Sequence, residues 1–431
     1  MNYTDALSYL HDLLTIDSVK SEPKENAPFG EGVKHCLDTA LNILSKYGFT
    51  TKNVDGYCGY GEIGTGKLFG ILSHLDVVPV GKGWTYPPFG ATVIDNKIYA
   101  RGALDDKSPF IAMLWALTNI LDEGLVPKYR IRFILGCDEE SGWGCIDRYL
   151  KTEEMPEIGI TPDADFPVIN CEKGILHFSV SIPKNTNIIY AKAGDKANMV
   201  PDYAEIQIYN SIDISPLKNN PDVEIVSNDN SYSLISKGKS AHGSTPQKGE
   251  NAITKLLKAV SSLDGFEYIS KLISKLDDYE GKHVNLDICD EKSGHLSLNL
   301  GTMYMTSDKL VFDVDIRYPV TFTKEYILDI LNKNIDGIIK ETHHQKPLYV
   351  DKDSTLVQTL LNAYNSVMNT NLEPISIGGG TYARALKCGV AFGPCFPNGN
   401  GGMHCPDEYM DLDDFKKMKE IYYVALKNLC F

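Results

Sequence analysis

A chain of 431 residues is too long for one small hydrophobic core, and its 43% apolar and 23% charged residues suit a soluble globular protein of two or three domains. The formal net charge of -15 argues against a nucleic-acid partner, which needs clustered Lys and Arg, and no apolar run approaches membrane-spanning length. Ten cysteines without a CxxC pair or regular spacing exclude a disulfide framework and a zinc ribbon, so a reducing compartment is expected.

In chain order, residues 1–14 lack the basic region and unbroken apolar core of a signal peptide, and Leu7, Leu10 and Leu14 recur at helical spacing. The expected location is the cytoplasm. A second helix is predicted over 31–47, with Gly48 as its stop. Short strands at 50–54 and 57–63 lead to LFGIL at 68–72, an apolar run that reads as a buried strand of a parallel sheet. His74 and Asp76 follow, two residues apart and so on one side of an extended chain, before Pro79, Gly81 and Gly83 open a loop. Residues 91–94 and 97–99 flank Asp95-Asn96 as a hairpin. After ARGALDDKSP a helix runs to about 123, with Pro109 in its first turn where a missing N–H costs nothing. A strand at 130–135 ends in GCDEESGWG, and a helix near 145–151 with strands at 158–160 and 167–170 encloses TPDADFP.

This alternation predicts an α/β fold with a mostly parallel sheet flanked by helices. In such sheets ligands bind beyond the carboxyl ends of the strands, where His74, Glu139, Glu140 and Asp163 fall. Past 174 strands dominate, at 176–182, 204–209, 232–237, 296–305 and 309–316, with helices at 251–263 and 324–339. That pattern predicts an inserted α+β domain with an antiparallel sheet. The catalytic domain is therefore assigned to 1–173 and 353–431, and the insertion to 174–352. The final part carries a helix over 354–369, IGGGTYAR, a loop at 396–410 and a terminal helix over 412–429.

Five polar clusters stand out: His74/Asp76, Asp105/Asp106, Glu139/Glu140, Asp163/Asp165 and His404. Acidic pairs in loops are usually solvated or cap helices, and a helix N-cap is the plain reading of Asp106. Four of the clusters, however, lie at strand-to-loop transitions of one predicted sheet, flanked by Gly or Pro, which points to a shared site. Two imidazoles with several carboxylates and no thiolate pair suit Zn2+, with Mn2+ as the alternative. The set exceeds what one tetrahedral ion needs, so two divalent ions are expected. In the Glu139-Glu140 doublet, one carboxylate would bind metal while its neighbour takes a proton from a bridging water and passes it to the leaving group.

The segments HLDVVPVGKGW, ARGALDDKSP, DEESGWG, PDADFP, KGKSAHGSTPQKGENA, DIRYP, GGGTYAR and a late MH resemble, in order over nearly the whole chain, a family of co-catalytic di-metal peptidases and deacylases. That family includes carnosinase, succinyl-diaminopimelate deacylase and carboxypeptidase G, and the likeness is greatest to the peptidase V type of bacterial dipeptidase. The resemblance implies that His74, Asp105, Glu140, Asp163 and His404 are the metal ligands, with Asp105 bridging both ions and followed by a cis peptide bond. It makes Glu139 the general base and acid, and Asp76 the acceptor of the second N–H of His74. The insertion becomes a ferredoxin-like lid whose His242 stabilises the oxyanion and whose Asn198 and Arg317 hold the substrate's C-terminal carboxylate. Gly378, Gly379, Gly380 and Thr381 line the pocket through their backbone.

Without the resemblance, Arg317 reads as a surface ion pair, His242 as an ordinary loop residue, and His404 rests on its order in the chain. Lys107-Ser108-Pro109 departs from the family pattern, which has glycine after the lysine. The implied activity is hydrolysis of unblocked dipeptides by a monomer or homodimer with small-molecule substrates. The alternatives are an N-acyl amino acid or diaminopimelate-type deacylase and, in another class, a binding protein on a retired enzyme fold.

Overall fold

The computed structural model describes residues 1–397, 399 and 401–431; within the loop at 396–410, Asn398 and Asn400 lie outside the described residues. The chain divides into two compact units. One is Met1–Asn170 with Val350–Ile375 and Thr381–Phe431, and the other is Cys171–Tyr349 with Ser376–Gly380. Each has its own hydrophobic core.

A mixed sheet organises the first unit. Its strands lie in the order Thr50–Val54, Cys58–Ile63, Arg130–Gly136, Leu68–His74, Ile158–Thr161 and Cys388–Ala391. The last four are mutually parallel, while the first two pair antiparallel. Every residue of Leu68–His74 is buried, which explains its unbroken apolar composition. The register sets His74 opposite Gly136, so the Glu139-Glu140 loop leaves the sheet beside the His74 ring.

The helix Lys107–Asp122 packs against both Tyr3–Leu14 and Leu412–Cys430, and is buried continuously from Lys107 to Thr118. Its PFIAMLWAL stretch accordingly has no polar face. Lys107 is itself buried, and its ammonium donates to the carbonyls of Leu13 and Ile16 at 3.0 and 3.3 Å, at the electronegative end of the first helix. The hairpin Thr92–Ile94 and Lys97–Tyr99 turns through Asp95 and Asn96, both at positive φ, as a two-residue turn requires. Tyr409–Asp411 adds to it as a third strand and ties down the segment after His404.

The second unit has an eight-stranded sheet, antiparallel at every pairing. Its order is Glu224–Ser227, Ser231–Lys237, Tyr203–Tyr209, Ile188–Ala193, Ser297–Met305, Lys309–Tyr318, Gly174–Pro183 and Ile338–Gln345. Helices Ala252–Val260 and Glu267–Leu276 pack on it. The strands Ile188–Ala193 and Glu224–Ser227 and the helix Glu267–Leu276 were not foreseen. The helix expected over 324–339 stops at Asn334, and Ile338–Gln345 is instead a largely exposed edge strand. Among the described residues no helix is long and apolar enough to cross a membrane.

Candidate active site

His74 closes the buried Leu68–His74 strand and is fully enclosed. Its Nδ1–H donates to the backbone carbonyl of Asp76 at 2.8 Å, which fixes the ring and turns Nε2 toward the neighbouring carboxylates. That Nε2 lies 2.7 Å from Asp105 Oδ1 and 3.5 Å from Asp163 Oδ2. The Nε2 of His404 lies 2.8 Å from Asp105 Oδ2 and 3.2 Å from Glu140 Oε1. Two sets of one imidazole and two carboxylates thus share Asp105, each of its oxygens facing a different ring. Glu139 sits against the first set: ligand-type atoms of His74, Glu139 and Asp163 lie within 4.8 Å of one another, as do those of His74, Asp105 and Glu140. The Asp105–Asp106 peptide bond is cis.

The supporting contacts differ in part from expectation. The Asp76 carboxylate was expected on the His74 ring, but its Oδ1 stands 3.7 Å from Nδ1. It accepts instead from the backbone N–H groups of Glu139 and Glu140, at 3.0 and 3.1 Å, and so holds the doublet. The strand register is the cause, because it brings the neighbouring loop over Asp76. Nor does Asp106 cap the helix Lys107–Asp122; it accepts from the backbone N–H of His74 at 3.2 Å.

Sequence reasoning missed three further groups. Glu408, fully buried, accepts from Arg101 Nη1 at 2.6 Å and from the N–H groups of Leu104 and Asp105 at 2.8 and 3.2 Å, fixing the Asp105 backbone. The Trp143 indole donates to Glu139 Oε1 at 3.2 Å. Tyr382 packs edge-on against both His74 and Trp143. A Cβ on Gly136 would come 2.2 Å from the Tyr382 hydroxyl, so glycine is what admits that ring. The available signal was an acid four positions after His404; nothing local marked Trp143 or Tyr382.

The electrostatics are those of a cation site. Burial and the Asp163 charge push the Glu139 carboxyl well above its ordinary range, and burial with Asp105 pushes Asp163 up to about 8. Burial and Asp163 do the same to Asp106. Burial would also raise Asp105, but hydrogen bonds from His404 and His74 outweigh it and bring it down. His404 is raised to about 10 by its hydrogen bonds to Asp105 and Glu140. Burial opposes protonation of His74, yet the charges of Asp163 and Asp105 carry it well above normal. Carboxylates outnumber imidazoles, and divalent ions are the countercharge that an all-N, all-O donor set of this kind accepts.

A second group forms within the other unit. The backbone N–H of Ser244 donates to His242 Nδ1 at 3.2 Å, leaving the ring proton on Nε2. Burial and the Arg317 charge lower the His242 pKa, keeping the ring neutral. The Asn198 carbonyl accepts from Gly243 N–H at 2.7 Å, so Asn198 and the His242 turn are bound together. Arg317 is 3% exposed and is no surface ion pair. Its Nε donates to Asp315 Oδ1 at 2.8 Å, its Nη2 to Asp315 Oδ2 at 2.9 Å and its Nη1 to Gly378 O at 2.8 Å. An arginine has about five N–H donors, so a pair is left for a ligand. Gly378, Gly379 and Gly380 belong to this unit, whereas Thr381 belongs to the first, where its hydroxyl caps a short helix by accepting from Ala383 N–H at 3.2 Å.

Residues 70–428 match the profile described as Peptidase family M20/M25/M40. "Putative dipeptidase YtjP" of Bacillus subtilis (strain 168) is 38% identical over 449 residues, covering 99% of this chain and 97% of its own. "Putative dipeptidase SAUSA300_1697" of Staphylococcus aureus (strain USA300) is 37% identical over 451 residues, covering 98% and 96%. Among solved structures, the M20 family metallo-carboxypeptidase Sso-CP2 from Sulfolobus solfataricus superposes with a TM-score of 0.60 at 19% identity, covering 99% of both chains. Human carnosine dipeptidase 1 gives 0.55 at 15% identity, covering 99% of this chain and 96% of its own. At such identities these two share the fold.

Proposed function

The chain belongs to peptidase family M20/M25/M40 and is a metallopeptidase, and from that membership we propose that it is a two-metal dipeptidase acting on unblocked dipeptides. One observation carries the reading: the oxygens of Asp105 face His74 and His404 separately, at 2.7 and 2.8 Å, each ring beside one further carboxylate. In this reading His74, Asp105 and Asp163 hold one ion, and His404, Asp105 and Glu140 the other, Zn2+ or alternatively Mn2+. When bound there, such ions would supply Lewis acidity and lower the pKa of a water molecule toward neutrality.

The chain's own residues do the rest. Glu139, oriented by the Trp143 indole, takes the proton of the attacking water and delivers it to the leaving amine. Asp76 keeps Glu139 and Glu140 in register by gripping both backbone N–H groups. The neutral His242 presents Nε2–H to the oxyanion, and the remaining donors of Arg317 with the Asn198 amide take the substrate's C-terminal carboxylate. A site that reads a free carboxylate so near the scissile bond selects short substrates, in keeping with the names of the relatives. The expected lid role of the inserted domain belongs to this reading. All ten cysteines are free, consistent with a cytoplasmic setting.

The test is metal analysis of the purified protein joined to a panel of free dipeptides and N-acetyl amino acids, with each ion restored in turn. Two ions per chain and turnover of free dipeptides are expected. Turnover of the acetylated compounds alone would move the chain to the deacylases.

A further inference from the structure

Asp165 lies two residues past Asp163, and the mechanism gives it no task. Its carboxylate has no hydrogen-bond or ion-pair partner among the described residues. It lines a cavity of about 720 Å3 within the first unit, a size typical of small-molecule sites. Leu104, Phe166, Leu372, Phe396 and Met403 form most of the apolar wall. The place is informative: Leu104 directly precedes Asp105, and Met403 directly precedes His404. The thiol of Cys395, on the same wall, is close enough to Asp165, Asp105 and Asp163 to feel all three charges. The cavity wall is thus close in the chain to three residues assigned to the ions, Asp105, Asp163 and His404. Its charged lining is wholly acidic, Asp165 and Glu373, with no Lys or Arg among the described residues.

We infer that this cavity receives the substrate's N-terminal residue, with an apolar side chain against Leu104, Phe166, Phe396 and Met403 and the α-ammonium on Asp165. The inference rests on the dipeptidase reading and narrows its unblocked dipeptides to those with an apolar first residue. An acylated nitrogen brings no charge to Asp165. An acidic first residue brings the wrong one, facing both Asp165 and Glu373.

The test uses the metal-loaded enzyme with Leu-Gly, Glu-Gly and N-acetyl-Leu-Gly, alongside calorimetric binding of leucinamide. Wild type should prefer Leu-Gly over both others by at least about tenfold in kcat/KM. Asp165→Asn should raise KM for Leu-Gly by about tenfold or more at unchanged metal content, shrinking the preference for a free amine, and Asp165→Glu should restore it. Leu372→Lys, which places a cation in the cavity, should depress Leu-Gly and improve Glu-Gly. An unchanged preference in Asp165→Asn, loss of its metals, or Glu-Gly turned over as well as Leu-Gly by wild type would overturn the inference while leaving the dipeptidase reading intact. If wild type cleaves no dipeptide yet binds leucinamide through Asp165, the reading fails and the cavity assignment survives. Equal or absent leucinamide binding in both proteins would then sink the assignment too.

Discussion

Glu139 and Glu140 are adjacent in sequence and differ in what their carboxylates meet: the indole of Trp143 for one, the ring of His404 for the other. Glu139→Gln should keep both ions while lowering kcat by about 10²–10⁴, checked by metal analysis and steady-state kinetics. Loss of metal in that variant would exchange the two roles. Glu408→Gln tests a different contact. It leaves the guanidinium of Arg101 buried without its counterion and should cost about 3–5 kcal/mol in denaturant unfolding. The polar clusters were legible because strand ends and flanking Gly or Pro mark them. Partners were not: Arg101 and Glu408 are 307 positions apart, and the resemblance put the Asp76 carboxylate on the His74 ring where the fold uses the Asp76 backbone carbonyl. Local spacing restricts direction, but the register of the next strand decides what is met.

The turn that carries His242 shows how an element can be fixed by lacking a side chain. A Cβ on Gly243 would stand 2.6 Å from Asp315 Oδ2 and 2.9 Å from Asn198 O. Gly243→Ala should therefore displace the turn or the Asp315–Arg317 pair, costing about 1–3 kcal/mol and raising KM for dipeptides, as urea unfolding and kinetics would report. Elements with a strong period were readable, among them Leu68–His74 and the wholly buried Lys107–Asp122. The helix Glu267–Leu276 also has its period, at Ile269, Leu272, Ile273 and Leu276, and was overlooked. Ile338–Gln345 is a different matter, since IIKETHHQ lies at a sheet edge with little to bury and carries no alternation to detect.

For the whole molecule, ions that bind only the folded site add to its stability by mass action. Chelation should lower the thermal midpoint, and restoring the metal should recover it, measured by calorimetry; an unmoved midpoint would mean that the buried acids are neutralised by protons alone. The alternation of strands and helices revealed the fold class. It did not reveal that Ser376–Gly380 joins the second unit, because that depends on Lys173 N–H reaching Ile377 O at 3.0 Å and Arg317 reaching Gly378 O.

The strand Cys388–Ala391 lies beside Ile158–Thr161 in the first sheet, although Cys171–Tyr349 separates them in the chain. On the ribosome, the earlier strands emerge with one parallel neighbour still unmade, and the long intervening segment leaves the exit tunnel with almost all of its own sheet in hand. The second unit can fold while the first waits, and His404 arrives later still. If His404 holds an ion as proposed, a nascent chain could not complete that pair of metal sites before this residue has emerged.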